Sequence, residues 1–347
     1  MKRPYTTVLI IPTGIGASIG GYAGDGLPIA RAMSQISDRL ITHPNVLNGA
    51  ALYWPMDNVY YVEGYALDRF CRGDWGLQPV HHNRIGLLFD KAIEPDLLAR
   101  HLQAADATRA TLGLSLTDYV ITDAELGIEL RRSDSGASWG TIKAPGALLR
   151  AGEKLKAIAG AEAIAIVARF PDDPDSLTLH QYRHGIGVDP LAGAEAVISH
   201  LLVRNLQIPA PTPPPSPATS RPQHFPSHAA EEIGYTFLPC ALAGLSRAPR
   251  LSTPGAAGSI GAEDVSALVI PSSACGSPAV LSLSARDPLI IAVDNNQTRM
   301  KVYPEPLGIK AIRVNSYIEA LGILVSDRAG VNIDVYEPDL SPLRPLS

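Results

Sequence analysis

His43, Arg169 and Cys275 each stand just past an apolar run, where a buried strand would hand over to a loop, and His184 lies in a later loop with Gly185 and Gly187. A histidine there can move a proton, a guanidinium can grip a carboxylate in a bidentate fork, and a thiol can act as a nucleophile. Six glycines fall between Gly14 and Gly26, directly after the run Val8–Ile11. Without Cβ atoms, successive N–H groups of such a loop can converge on a phosphate or carboxylate. Gly14, Gly16, Gly20, Gly21 and Asp25 are therefore candidate ligand residues. The competing reading is a tight connection packed against a neighbouring strand.

The spacing Gly14-x-Gly16-x-x-x-Gly20 departs from the dinucleotide fingerprint, and the loop lacks the Gly-Lys-Ser/Thr of a P-loop. Asn45 and Asn48 follow His43, and their amides could orient a carbonyl or cap a local turn. Arg169 leads into His180–Asp189, a second glycine-containing loop whose Asp189 would bind a ligand or cap the next helix. Ser272 and Ser273 offer hydroxyls beside Cys275, a residue that can also serve as a small buried hydrophobe. Asn295 and Asn296 lie in the polar stretch Asp294–Thr298. His81 and His82 are adjacent, so on an extended segment they face opposite sides and cannot share a metal. Lys143 reads as a solvated charge, and Asn315 as a helix cap with Glu319 one turn on. No metal-ligand spacing is present, and the residues leave the cofactor unknown.

Placing these residues takes a chain of 347 residues, long enough for one large or two interlocked domains. Hydrophobic residues reach 46% and charged ones only 18%, so the chain buries much of itself and has surface suited to a homo-oligomer. A net charge of −5 argues against nonspecific nucleic-acid binding, and no apolar run is long enough to span a membrane. The run Val8–Ile11 is too short for a signal-peptide core, and three cysteines form no disulfide framework. These features lead to the expectation of a cytoplasmic protein.

Strand-like runs are Thr7–Ile11, Arg39–Thr42, Ile85–Asp90, Tyr119–Thr122, Ala163–Phe170, Leu202–Ile208, Ser266–Pro271 and Leu289–Asp294. Helices are expected over Pro145–Ala159, ended by Gly160, and over Val314–Arg328, with Ile318, Leu321 and Val325 on its buried face. Strands separated by helices give an α/β fold with a largely parallel sheet of βαβ-type units. The stretches Val8–Asn48, Ala163–Pro209 and Ala267–Asn296 share a strand–loop–helix–strand outline, from pseudo-repetition or from ordinary βαβ rules. The proline-rich run from Pro209 to Pro222 should be extended and solvated. It divides the chain into an α/β region at 1–208, a linker or insertion at 209–228, and a completing α/β region at 229–347.

Four runs carry a resemblance: Ile11–Asp25, His43–Gly49, Gly193–His200 and Val314–Ala320. They are similar to those of an uncharacterised family, a domain of unknown function, associated with photosynthetic microbes and plastids. The likeness covers nearly the whole chain apart from the proline-rich segment. It implies a housekeeping role in a photosynthetic cell's cytoplasm and brings no activity, cofactor or catalytic residue.

The residues themselves point to an enzyme acting on a small anionic metabolite, by transfer, isomerisation or hydrolysis. Glycine-loop amides and Arg169 would hold the anion, His43 or His184 would move a proton, and Cys275 or a neighbouring serine would supply a nucleophile or hydrogen bonds. The alternative is a non-catalytic sensor or assembly protein, with a pocket lacking convergent ionisable groups.

Overall fold

The computed structural model describes residues 3–21, 25–47, 54–134, 136–171, 188–212, 237–336, 338 and 340. Fully buried β-branched and leucine side chains build its first strand, β1 (Thr6–Leu9), followed by α1 (Leu27–Ile36) and β2 (Arg39–Thr42). A short α2 (Pro44–Leu47) and β3 (Val59–Tyr61) come next. The chain then leaves this sheet through α3 (Gly64–Arg72) and β4 (Gly76–Gln78).

A second unit holds β5 (Ile85–Phe89), α4 (Pro95–Leu112), β6 (Leu116–Ile121), the hairpin β7 (Ile128–Arg132) and β8 (Ser138–Ile142), α5 (Pro145–Ala157), β9 (Ala163–Val167) and α6 (Ala192–Leu206). After α7 (Phe237–Ser246) and β10 (Arg250–Ser252), the chain re-enters the first sheet. It does so with β11 (Val265–Pro271), α8 (Pro278–Ser284), β12 (Leu289–Val293), β13 (Ile312–Val314) and α9 (Tyr317–Ala329).

The main sheet runs β13-β12-β11-β1-β2-β3 with every pairing parallel. In chain order within the sheet this is the doubly wound arrangement, reversing direction between β1 and β11. β5, β6 and β9 form a second parallel sheet, and β4 pairs antiparallel with β10. Apolar side chains of both sheets share cores: Leu9, Phe89 and Val269 lie in one buried cluster, and Val8, Leu88 and Leu268 in the other. The strands after the proline-rich segment complete the sheet that β1–β3 begin, so neither part holds the sheet alone.

Three expectations are corrected. Leu202–Leu206 is the end of α6, not a strand, because the apolar run continues a helix whose buried positions include Ala194, Ile198 and Leu202. The Ala163–Pro209 stretch therefore lacks the second strand of the supposed repeat. Pro209–Thr212 is buried rather than solvated. The carbonyls of Pro209 and Pro211 accept from the amides of Ile164 and Ile166, a sheet-edge role that needs no donor. The helix over Tyr317–Ala329 forms and ends at Gly330 with φ 75°, but its buried face is Tyr317, Ala320 and Leu324. Ile318 is 80% exposed and Val325 52% exposed. The remaining proline-rich residues from 213 lie outside those described.

Candidate functional site

All six strands of the main sheet point the same way, so their carboxyl ends share one edge. Ligands of such sheets gather there, at the crevice where strand order reverses. Following that edge are the glycine loop after β1, His43 after β2, Glu63 after β3, Ser272 after β11, Asp294 after β12 and Asn315 after β13.

The glycine loop is held by many of the residues that the sequence offers as ligand groups. His43 Nε2 accepts the amide of Ile11 at 3.0 Å. Asn45 Nδ2 donates to Ile11 O at 3.0 Å and Gly20 O at 2.6 Å. Asn296, fully buried, accepts from Ile19 N at 2.9 Å and donates to Ile19 O at 2.9 Å and to the Tyr317 hydroxyl at 2.7 Å. Ser138 N binds Gly14 O, Ser18 N binds Gln297 O, and Arg299 N binds Ile15 O. Gly14, Gly16 and Gly20 have φ values of 72°, 63° and 80°. A Cβ on Gly20 would lie 2.5 Å from Ile11 Cγ2, and one on Gly21 2.4 Å from Ala17 O. The glycines are thus required by the turn and its packing.

Burial lowers the His43 imidazole to about 4, so at neutral pH the ring is uncharged and its Nε2 lone pair is engaged by Ile11. Ser273 Oγ accepts Thr298 N at 2.9 Å and lies 3.0 Å from Thr298 Oγ1. Burial pushes the Cys275 thiol up to about 11, with its hydrogen directed at Ser272 O. This opposes an activated thiolate: the turn into α8 buries the sulfur instead of lowering its pKa. Burial pushes Asp294 up, yet the Arg313 guanidinium and the neighbouring Ser272 hydroxyl hold it below the usual carboxylate range. Asn295 is exposed on this rim.

The second loop divides differently. Arg169 follows β9 in the other sheet and forks onto Glu94 at 2.8–3.1 Å. Its side chain is therefore committed to an ion pair instead of standing at the main sheet's edge. Asp189 Oδ1 accepts Leu191 N at 2.8 Å, its carboxyl raised by burial, in the manner of a helix cap. Ser138 Oγ takes Gly193 N, and Leu191 O takes Ala194 N. The first turn of α6 is therefore closed by protein groups, not left for an anion. α6 nevertheless borders the glycine loop, since a Cβ on Gly14 would sit 3.8 Å from Ala192 Cβ. Burial raises the Tyr317 hydroxyl pKa, and nearby Asp25 acts in the same sense. His184 and Asn48 lie outside the described residues.

Other candidates resolve into local roles. His81 and His82 are exposed, while the buried Asn83 amide binds Leu245 O and Ala248 O. Lys143 pairs with Glu129 at 3.0 Å. Ser316, not Asn315, caps α9, and Glu319 reaches back to Asn315 N.

Glu63 is the ionisable group at this edge that the sequence reading missed. Its side chain is 4% exposed, caps α3 through Tyr65 N and Ala66 N, and accepts from Ser199. Burial raises it to about 7. His200 Nε2, on α6, lies 3.2 Å from Glu63 Oε1, and the His200 side chain is 42% exposed. Burial lowers His200, with Asp68 acting in the opposite sense. Tyr61, two residues before Glu63, buries a hydroxyl that has no hydrogen-bond partner among the described residues. The signal was present: Val59–Val62 is an apolar and aromatic run ending in an acid, the rule that selected His43.

Among the described residues no helix is long and apolar enough to cross a membrane, and no group of three His, Cys, Asp or Glu could hold a metal ion.

Fold and edge together define an α/β protein built on a doubly wound parallel sheet. The chain belongs to the family described as protein of unknown function (DUF3326), matched over residues 6–337. It is 56% identical over 341 residues, 97% of this chain and 95% of the relative, to an uncharacterized lipoprotein of Synechococcus sp.. That name overturns the cytoplasmic expectation, which rested on the short apolar run near residue 10 and the cysteine count. No solved structure matches the chain.

Proposed function

We propose that the protein is an enzyme acting on a small anionic metabolite, a carboxylate or phosphate, held at the carboxyl edge of the main sheet. The observation that carries this reading is the glycine loop leaving β1 at the reversal between β1 and β11. Crevices form there because the flanking connections diverge to opposite faces of the sheet. The lattice of His43, Asn45 and Asn296 preorganises the loop, and the exposed Asn295 stands on its rim.

The test is thermal melting with inorganic phosphate, citrate and a panel of phosphate esters. A saturable rise in melting temperature that Asn295→Ala weakens without changing the unliganded melt supports the reading. Absence of any shift across the panel counts against it. A partner-binding role is the second reading, favoured by the exposed apolar residues Ile318 and Val325 on α9. It expects association, seen by sedimentation, that Ile318→Ser reduces.

A further inference from the structure

Glu63 and His200 meet between α3 and α6, and nothing in the glycine-loop lattice uses them. Buried carboxylates are costly unless hydrogen-bonded, and this one has four partners: two backbone amides, Ser199 and His200. Gly64 lets the ring approach, since a Cβ there would lie 3.3 Å from His200 Nε2. Tyr65 packs on the imidazole with ring centroids 5.8 Å apart, which fixes the ring plane. With Nε2 donating to Glu63, the neutral ring carries its lone pair on Nδ1. Tyr61 adds a buried hydroxyl without a partner among the described residues, electrostatically coupled to Glu63 and Glu195. An unsatisfied buried hydroxyl within electrostatic reach of the carboxylate that orients the imidazole is what a site retains when its ligand supplies the missing bond.

We infer that His200, oriented by Glu63, is the general base of this protein's reaction and that the Tyr61 hydroxyl binds a substrate oxygen. This rests on the enzyme reading above and deepens it. α6 starts against Gly14 and reaches His200 eight residues later, so the substrate is an anionic metabolite spanning up to about 12 Å. In the step, a substrate X–H bond breaks and an N–H bond forms at Nδ1, with the electron pair left on X. The imidazolium is stabilised by Glu63, and the same proton goes back to the product or to water. Glu63 is a positioning residue. The charged groups around the pair are Glu63 and Asp68 from β3 and α3, Glu195 from α6, and Arg69 stacked over Tyr65 and Trp75.

The full chain is incubated in D2O with an aqueous metabolite extract of Synechococcus, and products and deuterium uptake are read by mass spectrometry. Native protein converts or deuterates at least one anionic metabolite, and His200→Gln loses about 100-fold or more of that rate. Glu63→Gln slows it about tenfold or more and moves the acid limb of its pH profile. Equal rates in native protein and His200→Gln overturn the general-base inference alone. Native protein that changes nothing overturns the enzyme reading together with it. Imidazole nitrogen NMR of the unmutated protein is an independent check. It should show His200 protonated on Nε2 above pH 7, where Glu63 is ionised, and protonation on Nδ1 there overturns the assignment even if the variants misfold.

Discussion

The Nε2 atom of His43 accepts the backbone amide of Ile11 at 3.0 Å, tying the exit of β2 to the first turn of the glycine loop. The ring must be neutral to accept, and burial holds it so, lowering its pKa from 6.5 to about 4. Below pH 6.5 the unfolded chain takes up a proton that the folded chain refuses. The stability from His43 is therefore fully present above 6.5 and is lost as pH falls towards 4. The window corresponds to about 3 kcal/mol. Urea titrations at pH 7 and pH 4.5 should show the stability of native protein relative to His43→Gln falling by about this amount between the two.

Asn296 satisfies three groups at once: Ile19 N, Ile19 O and the Tyr317 hydroxyl. Asn296→Ala leaves the buried Tyr317 hydroxyl and the part-buried Ile19 groups unpaired and should cost about 2–3 kcal/mol. Asn45→Ala removes two donors from a partly buried position and should cost about 1–2 kcal/mol. Both losses should appear in chemical denaturation without any ligand. If either variant matches native stability and loses only ligand binding, the side chain belongs to the ligand and not to the loop.

Much of the fold was legible because buried parallel strands read as short apolar runs: Arg39–Thr42 forms over that span, and Ser266–Pro271 gains only Val265. The apolar run Leu202–Ile208 misled, since periodicity alone cannot separate a buried strand from a buried helix end. The face of α9 misled for a related reason. Ile318, Leu321 and Val325 make an apolar stripe, but the smaller Ala320 with Tyr317 and Leu324 fits closer to the sheet. The polar strand ends were found as a set, yet their roles were not legible. Whether an Asn binds a ligand or a backbone carbonyl depends on how the chain returns to it, as Asn296 returns to Ile19 across 277 residues.

Glycine substitutions should separate by local space. A Cβ on Gly193 would lie 2.2 Å from the Ser138 carbonyl oxygen and 2.4 Å from Trp139 Cα, so α6 would have to leave the hairpin. Gly193→Ala should therefore cost about 2–3 kcal/mol. Gly322 lies in α9 with nothing within 4 Å of its Cβ position. Gly322→Ala should stabilise by about 0.5–1 kcal/mol through helix propensity. Thermal melts of the two variants, moving in opposite directions, check both.

Cys71, Cys240 and Cys275 are all buried. Burial also raises the Cys71 and Cys275 thiols, so little thiolate is present at neutral pH. The native protein should react slowly or not at all with a thiol-specific disulfide reagent, and release three equivalents once unfolded in guanidinium. Rapid labelling of Cys275 in the folded state would restore it as a nucleophile.

Glu63 opposes His43 in the pH dependence of stability. Its carboxyl rises from 4.5 to about 7 by burial, so between those values the folded chain holds a proton that the unfolded chain releases. That contribution is fully present below 4.5 and is lost as pH rises through 7. It too amounts to about 3 kcal/mol over the window. Glu63→Gln keeps a carbonyl oxygen for the Tyr65 and Ala66 amides but cannot ionise. Relative to native protein the variant should gain stability steadily from pH 4.5 to pH 7, and the gain should then level off. Because the His43 contribution runs the other way over an overlapping range, native stability should look flat where each variant alone shows a slope. A stability difference between Glu63→Gln and native protein that stays constant with pH would mean that Glu63 is already ionised in the fold. His200 would then face a permanent carboxylate, and its own titration would move up, not down.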